Sequence, residues 1–194
     1  MDVVKKRIIV GITGASGIEV AIEILQILKD NDEFESHLVI SDSAKETIRH
    51  ECNYDEEQIQ SLADVTYDVH HIGGAIASGT FPCEGMIVVP CSMKTVAGIA
   101  CGYSDNLLLR AADVMIKERK KLVLMVRESP LSPIHLENLT KLAKIGVDIM
   151  PLVMTFYHRP QTIEDMISQM AARVLHQFGV VSSGFFRWGE AEQS

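Results

Sequence analysis

The sequence predicts an α/β protein: a doubly wound parallel sheet with helices on both faces, in three layers. Two observations carry that prediction. Short, β-branched apolar runs end in small or charged residues, and each run is followed by a stretch with helical periodicity. The alternation continues from residue 7 to residue 178 without an internal repeat or a linker, so strands joined through helices must lie parallel.

Arg7-Ile8-Ile9-Val10 reads as the first buried strand, ending at Gly11. Gly11-Ile12-Thr13-Gly14-Ala15-Ser16-Gly17 makes a glycine-rich turn, and a helix follows over 18–28. Ile18, Ala21, Ile22, Leu25 and Leu28 share one face of that helix, with Glu19, Glu23 and Gln26 on the other. A second strand at 37–40 ends at Ser41 and leads into a helix over 44–50. Residues 53–82 are irregular, and the expectation there is a short helix and a long excursion near the site. A third strand at 86–90 ends in Cys91-Ser92-Met93-Lys94-Thr95 and a helix. The helix at 107–119 buries Leu107, Leu108, Ala111, Val114 and Met115. A fourth strand at 122–126 ends at Arg127-Glu128-Ser129-Pro130, and a helix covers 135–144. Residues 146–151 form the fifth strand. The last helix spans 162–178, where Thr162 and Asp165 have capping-box spacing.

Composition narrows the function. The chain has 194 residues, 47% hydrophobic and 23% charged, enough apolar material for one domain with a real core. Disorder and collagen-like repeats are excluded. A formal net charge of −8 repels a phosphate backbone, so a general nucleic-acid binder is not expected. No apolar run reaches the roughly 18 residues of a membrane span. The first residues lack a signal-peptide core. Cys52, Cys83, Cys91 and Cys101 form no C-x-x-C pair, which argues against zinc and a disulfide framework. Adjacent His70 and His71 point in different directions and do not suggest a metal site. Reduced thiols in a cytoplasmic protein are the expectation.

In an open parallel sheet the ligand sits beyond the carboxyl ends of the strands. Those ends carry Thr13 to Gly17, Ser41, Ser92 to Thr95, Arg127-Glu128 and Tyr157-His158-Arg159. Small hydroxyls, glycines and cations on one edge outline a site for a phosphate-bearing ligand. The first loop has the wrong spacing for the dinucleotide G-x-G-x-x-G and lacks the lysine of a nucleoside-triphosphate loop. Its exposed amides and helix start suit a mononucleotide such as FMN; a plain strand-to-helix turn is the alternative. Cys91 reads as a small residue at a strand end rather than a nucleophile. Arg127 beside Glu128 is either a surface ion pair or an anion-binding arginine next to a proton-transferring carboxyl. Arg110 and Lys117 read alone as solvated helix charges, whereas Arg173 borders an apolar stripe.

The ordered set Gly11 to Gly17, Pro90-Cys91-Ser92-Met93-Lys94-Thr95, Arg110-Ala111-Ala112-Asp113-Val114, Lys117-Glu118-Arg119, Arg127-Glu128-Ser129-Pro130-Leu131, Ile134-His135-Leu136-Glu137-Asn138, Phe156-Tyr157-His158-Arg159-Pro160-Gln161 and Arg187-Trp188 resembles the UbiX-like flavin prenyltransferases. They sit within the homo-oligomeric flavin-containing Cys decarboxylase superfamily. The resemblance runs from Gly11 to about Trp188 and implies a Rossmann/flavodoxin-like three-layer sandwich. It implies a single flavin-binding domain over 1–194, with a C-terminal tail from about 180.

The implied reaction moves a dimethylallyl group from dimethylallyl phosphate to N5 and C6 of reduced FMN, without a metal. The prenylated FMN then serves a UbiD-type decarboxylase, and the enzyme is a dodecamer. The resemblance assigns FMN to Gly14, Ala15, Ser16, Ser41, Ser92, Met93, Lys94, Thr95 and Arg127. It assigns the prenyl phosphate to Lys117, Tyr157 and Arg173, and catalysis to Ser16, Glu51 and Glu128. This chain departs from the family at Ile18-Glu19-Val20-Ala21, at Ser41-Asp42-Ser43-Ala44 and at 151–157, without losing an assigned residue. A flavin-dependent cysteine decarboxylase on the same fold is an alternative. That branch carries Pro-Ala-Ser-Ala-Asn-Thr where this chain has Pro90 to Thr95. A second alternative is a non-catalytic flavin carrier or accessory subunit of a hydroxyaryl acid decarboxylase, which would not need Lys117, Glu128, Tyr157 and Arg173.

Overall fold

The computed structural model describes residues 5–182 and 184–189. The elements run β1 (Lys6–Ile12), α1 (Ile18–Lys29), β2 (Phe34–Ile40), α2 (Asp42–Glu51), α3 (Glu56–Gln60), β3 (Val65–Tyr67), a 3-10 turn (Ala75–Ala77), β4 (Gly85–Cys91), α4 (Met93–Cys101), α5 (Leu107–Lys117), β5 (Lys121–Val126), α6 (Pro133–Lys144), β6 (Asp148–Ile149) and α7 (Ile163–His176). The strands form one six-stranded sheet in the order β3-β2-β1-β4-β5-β6, with every pair parallel.

The period-2 alternation of strand side chains splits the core into two layers. Ile8, Val10, Ile12, Ile87 and Val89 pack under α1 and α7. Ile9, Met86, Val88 and Leu124 face the other way, under α4, α5 and α6. All seven residues of β4 are buried, as a central strand covered on both faces must be. Cutting one such side chain back, as in Ile87→Ala, should cost about 2–5 kcal/mol.

Helix starts are set by local chemistry. The side chains of Ser41, Ser92, Asn106, Ser132 and Thr162 each accept a backbone N–H of the first turn they cap. The capping box expected at Thr162 and Asp165 is present.

Two segments differ from the sequence expectation. The irregular stretch contains a further strand, β3, which pairs with β2 at His37, Leu38 and Val39. It is three residues long, too short for a period to show. The fifth expected strand contracts to the two residues of β6. Gly146, with φ of 92°, delays its start. Its ladder persists past Ile149, because the Met150 and Leu152 amides donate to Leu124 and Val126 carbonyls at 2.9 and 3.0 Å. Among the described residues no helix is long and apolar enough to cross a membrane.

Candidate functional site

From β1 the chain steps outward through β2 and β3, then returns to the other side of β1 as β4. The order therefore reverses between β1 and β4, and the loops leaving these two strands diverge to open a crevice. Thr13 ties them together. Its Oγ1 donates to the Pro90 carbonyl at 2.7 Å and accepts the Ser92 amide at 2.8 Å. The next loop is drawn in by Gly14, where a Cβ would stand 2.6 Å from Ser43 Cβ. Only glycine allows that approach. Loops from β1, β2 and β4 thus form one floor.

Hydrogen-bond donors line this floor. Among the described residues the amides of Gly14 and Ser16 have no protein acceptor. At α4 the Ser92 hydroxyl accepts from Thr95 N at 3.3 Å, and its carbonyl accepts from Val96 N at 3.0 Å. The Met93 and Lys94 amides stay open at the positive end of the helix. Ser92 and Thr95 hydroxyls lie 3.1 Å apart. The Ser41 hydroxyl caps α2 and lies 3.2 Å from that of Ser43. Ala15 is buried beneath. Arg127 closes the edge: its amide donates to the Cys91 carbonyl at 3.2 Å, and its exposed side chain has no ion pair among the described residues. Open amides, hydroxyls and an unpaired guanidinium suit a phosphate-bearing flavin mononucleotide.

Two carboxylates border the floor. Glu51, the last residue of α2, accepts the Gly17 amide at 3.1 Å through Oε2, where α1 has no side-chain cap of its own. Gly17 has φ of 109°, a left-handed conformation natural to glycine. Glu128 is exposed after β5, and its Oε1 accepts the Ser129 amide at 2.9 Å. The Cys91 thiol is fully buried, and burial pushes its pKa up, which agrees with a packing role.

The residues expected at a prenyl phosphate split into two places. Tyr157 and Arg173 line one groove of about 360 Å³ with Met125, Met150, Gln169 and Met170. The Tyr157 hydroxyl accepts from Gln169 Nε2 at 2.9 Å and donates to the Phe186 carbonyl at 3.2 Å. Lys117 is elsewhere, at the carboxyl end of α5 just before β5 begins, paired with Glu118. That is the amino edge of the sheet, opposite the floor. The ammonium of Lys117 holds the Glu118 carboxyl below the usual carboxylate range. Among the described residues no three His, Cys, Asp or Glu side chains gather as for a metal.

Thr13, Ser43 and Gln169 join the site without having been assigned a role from sequence. A threonine just past an apolar strand is the only signal the first offers; Ser43 in a polar helix turn offers none, and Gln169 stands out only as a polar residue among the apolar Met166, Ile167, Met170 and Ala171.

Comparison with known proteins adds a further set of findings. A family model described as Flavoprotein matches residues 1–175. Flavin prenyltransferase LpdB of Lactiplantibacillus plantarum is 51% identical over 183 residues, covering 94% of this chain and 98% of its own. The crystal structure of AnUbiX (PadA1) in complex with FMN and dimethylallyl pyrophosphate superposes with a TM-score of 0.92 at 43% identity, over 95% of this chain and 98% of that one. A dodecameric FMN-dependent UbiX-like decarboxylase of Escherichia coli O157:H7 gives a TM-score of 0.91 at 46% identity, over 94% and 98%.

Proposed function

Since the chain belongs to the Flavoprotein family, with flavin prenyltransferases as close relatives along nearly its whole length, we infer that it is itself a flavin prenyltransferase of the UbiX kind. It binds FMN and transfers a dimethylallyl group from dimethylallyl phosphate. The observation that carries this reading in the structure is the knitted floor at the β1/β4 reversal, with its open amides facing one crevice.

Reduced FMN supplies N5 and C6, the atoms that receive the dimethylallyl carbons. The chain's own residues do the rest. Gly14, Ala15 and Ser16, Ser41, the run from Ser92 through Met93 and Lys94 to Thr95, and Arg127 hold and orient the flavin. Lys117, Tyr157 and Arg173 take up the negative charge that gathers on the phosphate as the allylic C–O bond breaks. Glu128 gives the departing phosphate a proton, with Ser16 as relay, and Glu51 stands at the reacting edge. The apolar side chains of Met125, Met150 and Met170 beside Arg173 keep water from an allylic cation.

Lys117 and the flavin floor sit at opposite edges of one sheet. This supports a site completed by a neighbouring copy, in an assembly like the dodecamer of the E. coli relative. A single flavin-binding domain over 1–194, with a tail from about 180, fits the single sheet; residues 1–4, 183 and 190–194 of that span lie outside the described residues. The enzyme acts in the cytoplasm, and its product serves a UbiD-type decarboxylase.

The test is anaerobic incubation of the protein with reduced FMN and dimethylallyl phosphate, followed by mass and absorbance of the released flavin. The expected result is a flavin heavier by one dimethylallyl unit with an altered spectrum. Unmodified FMN from a folded, FMN-loaded protein overturns the assignment.

A further inference from the structure

The amino half of the sheet carries a partly buried polar chain, centred on buried His37, that the proposed flavin and phosphate residues do not use. Glu35 and His37 are two apart on β2 and face the same side. Arg7 of β1 is in register with Glu35 and donates from Nε to its Oε1 at 2.8 Å. His37 Nε2 lies 2.7 Å from that oxygen, and His37 Nδ1 lies 2.8 Å from the Tyr67 hydroxyl of β3. A carboxylate only accepts, so Nε2 carries the proton and Tyr67 donates to a bare Nδ1. His37 is 4% exposed. Burial, joined by the Arg7 charge, holds its pKa below the ordinary imidazole value against the opposing pull of Glu35 and Asp64. Asp64, in the turn before β3, is tied to the Ser36 amide and hydroxyl at 2.8 Å. Lys120 Nζ donates to the Phe81 carbonyl at 2.5 Å and lies 3.8 Å from the Cys83 thiol.

The Phe81 ring connects this chain to Lys117. Phe81 meets the His37 ring edge-on with centroids 5.0 Å apart, and Arg7 Cζ lies 5.4 Å from its centroid. The Phe81 amide donates to the Ser78 carbonyl at 3.1 Å, closing a turn around Gly79. A Cβ at Gly79 would collide with the Glu118 carboxylate and stand 3.0 Å from Lys117 Nζ. The turn that Phe81 anchors is therefore the wall against which the Lys117–Glu118 pair rests.

We propose that neutral His37 is a positioning residue: it holds Arg7 and Phe81 in place, and through the turn at Gly79 it fixes the ammonium of Lys117. A proton on Nδ1 sets a second cation beside Arg7 and removes the acceptor for Tyr67. The Tyr67 hydroxyl must reverse, Arg7 is pushed off Phe81, and the turn loosens. Affinity for the prenyl donor then falls on acidification while the flavin floor, at the other edge, is untouched. The link to the donor rests on the assignment of Lys117 in the proposed function; the link to the turn does not.

Two measurements on the full chain test this. The first is hydrogen exchange in a series from about pH 7.5 down to about pH 4.5, a range that starts above the ordinary imidazole value and runs well below it, the direction in which burial moves His37. After correction for intrinsic rates, protection over 78–81 and 115–119 should fall on acidification in the wild type and stay level in His37→Gln, which cannot titrate. The second is KM for dimethylallyl phosphate. It should rise roughly fivefold or more on acidification in the wild type, within the usual range of coupling between sites. In His37→Gln it should follow only the titration of the donor's own phosphate, whose second pKa lies at about 6, with FMN affinity unchanged. Tyr67→Phe covers the case in which His37→Gln does not fold. By removing the bond that favours neutral His37, it should move the acid limb and the exchange transition to higher pH. Wild-type protection that ignores pH, or transitions unmoved in the variants, overturn the proposal. A wild type that makes no prenylated flavin but keeps the exchange transition overturns the function and leaves the His37 coupling standing.

Discussion

Thr13 and Ser92 meet across the reversal of strand order: the Ser92 amide donates to Thr13 Oγ1 at 2.8 Å, while that hydroxyl donates to the Pro90 carbonyl at 2.7 Å. Thr13 is 1% exposed, so water does not replace either bond if one partner is removed. Thr13→Val keeps the shape and deletes both bonds. Stability should fall by about 1–3 kcal/mol in urea unfolding, the cost of an unsatisfied buried group. FMN titration should show weaker binding as the loops drift apart. Unchanged values in both measurements would mean that the floor is held by packing alone.

Glu128→Gln keeps size and polarity but cannot pass a proton. The side chain is exposed and its one hydrogen bond among the described residues is to its neighbour's amide, so folding should be unaffected. FMN should bind as before, while prenyl transfer slows by roughly 10²–10⁴-fold, the usual contribution of a general acid or base. Single-turnover absorbance measures this, and an unaltered rate removes Glu128 from the chemistry.

Lys117→Ala and Arg173→Ala should each weaken use of dimethylallyl phosphate by about 2–4 kcal/mol of transition-state stabilisation, with FMN affinity nearly intact. Tyr157→Phe should lose less, since it deletes one neutral hydroxyl. The position of Lys117 at the amino edge adds a sharper test. Lys117→Ala mixed with Glu128→Gln, unfolded and refolded together, should regain part of the activity if neighbouring copies complete each other's sites. Mixtures as inactive as their components would place every group within one chain.

The cysteines should differ in reactivity. Cys91 is fully buried and its thiol is pushed up by burial. Burial, then the Glu19 carboxylate, pushes Cys52 up to about 12. Cys101 is exposed. Alkylation of the native protein at about pH 8 should therefore modify Cys101 and spare Cys91. Cys91→Ala should retain prenyl transfer. Peptide mass mapping and turnover check both, and rapid loss of activity on alkylation at Cys91 would reinstate it as a reactive group.

The floor was legible in the sequence because every part of it lies at the end of an apolar strand. Buried runs such as residues 86–90 announce themselves, and the residues after them are the only place a ligand can reach. The phosphate-binding roles of Lys117, Tyr157 and Arg173 were not legible that way: Lys117 reads as a solvated helix charge, Tyr157 only as part of a strand-end segment, and Arg173 only as a charge bordering an apolar stripe. They came from resemblance alone. β3 escaped because Val65-Thr66-Tyr67 sits among polar neighbours and is too short for its alternation to stand out. The His37 chain escaped for a different reason. Glu35 and His37 lie on one face of β2, but their significance depends on Arg7 and Tyr67 arriving from strands on either side. That is a property of register, which no single segment contains.

Both margins of the sheet are short: three residues in β3, and two in β6 with a ladder that is followed only as far as Leu152. A strand that short offers too few free amides and carbonyls to recruit another strand, so ribbon-like growth from either margin is blocked. The exposed apolar side chains lie instead on helices and loops, among them Ile134, Leu136, Phe156 and Trp188. For a chain that carries this much exposed apolar surface, the brevity of its outermost strands is a safeguard against amyloid.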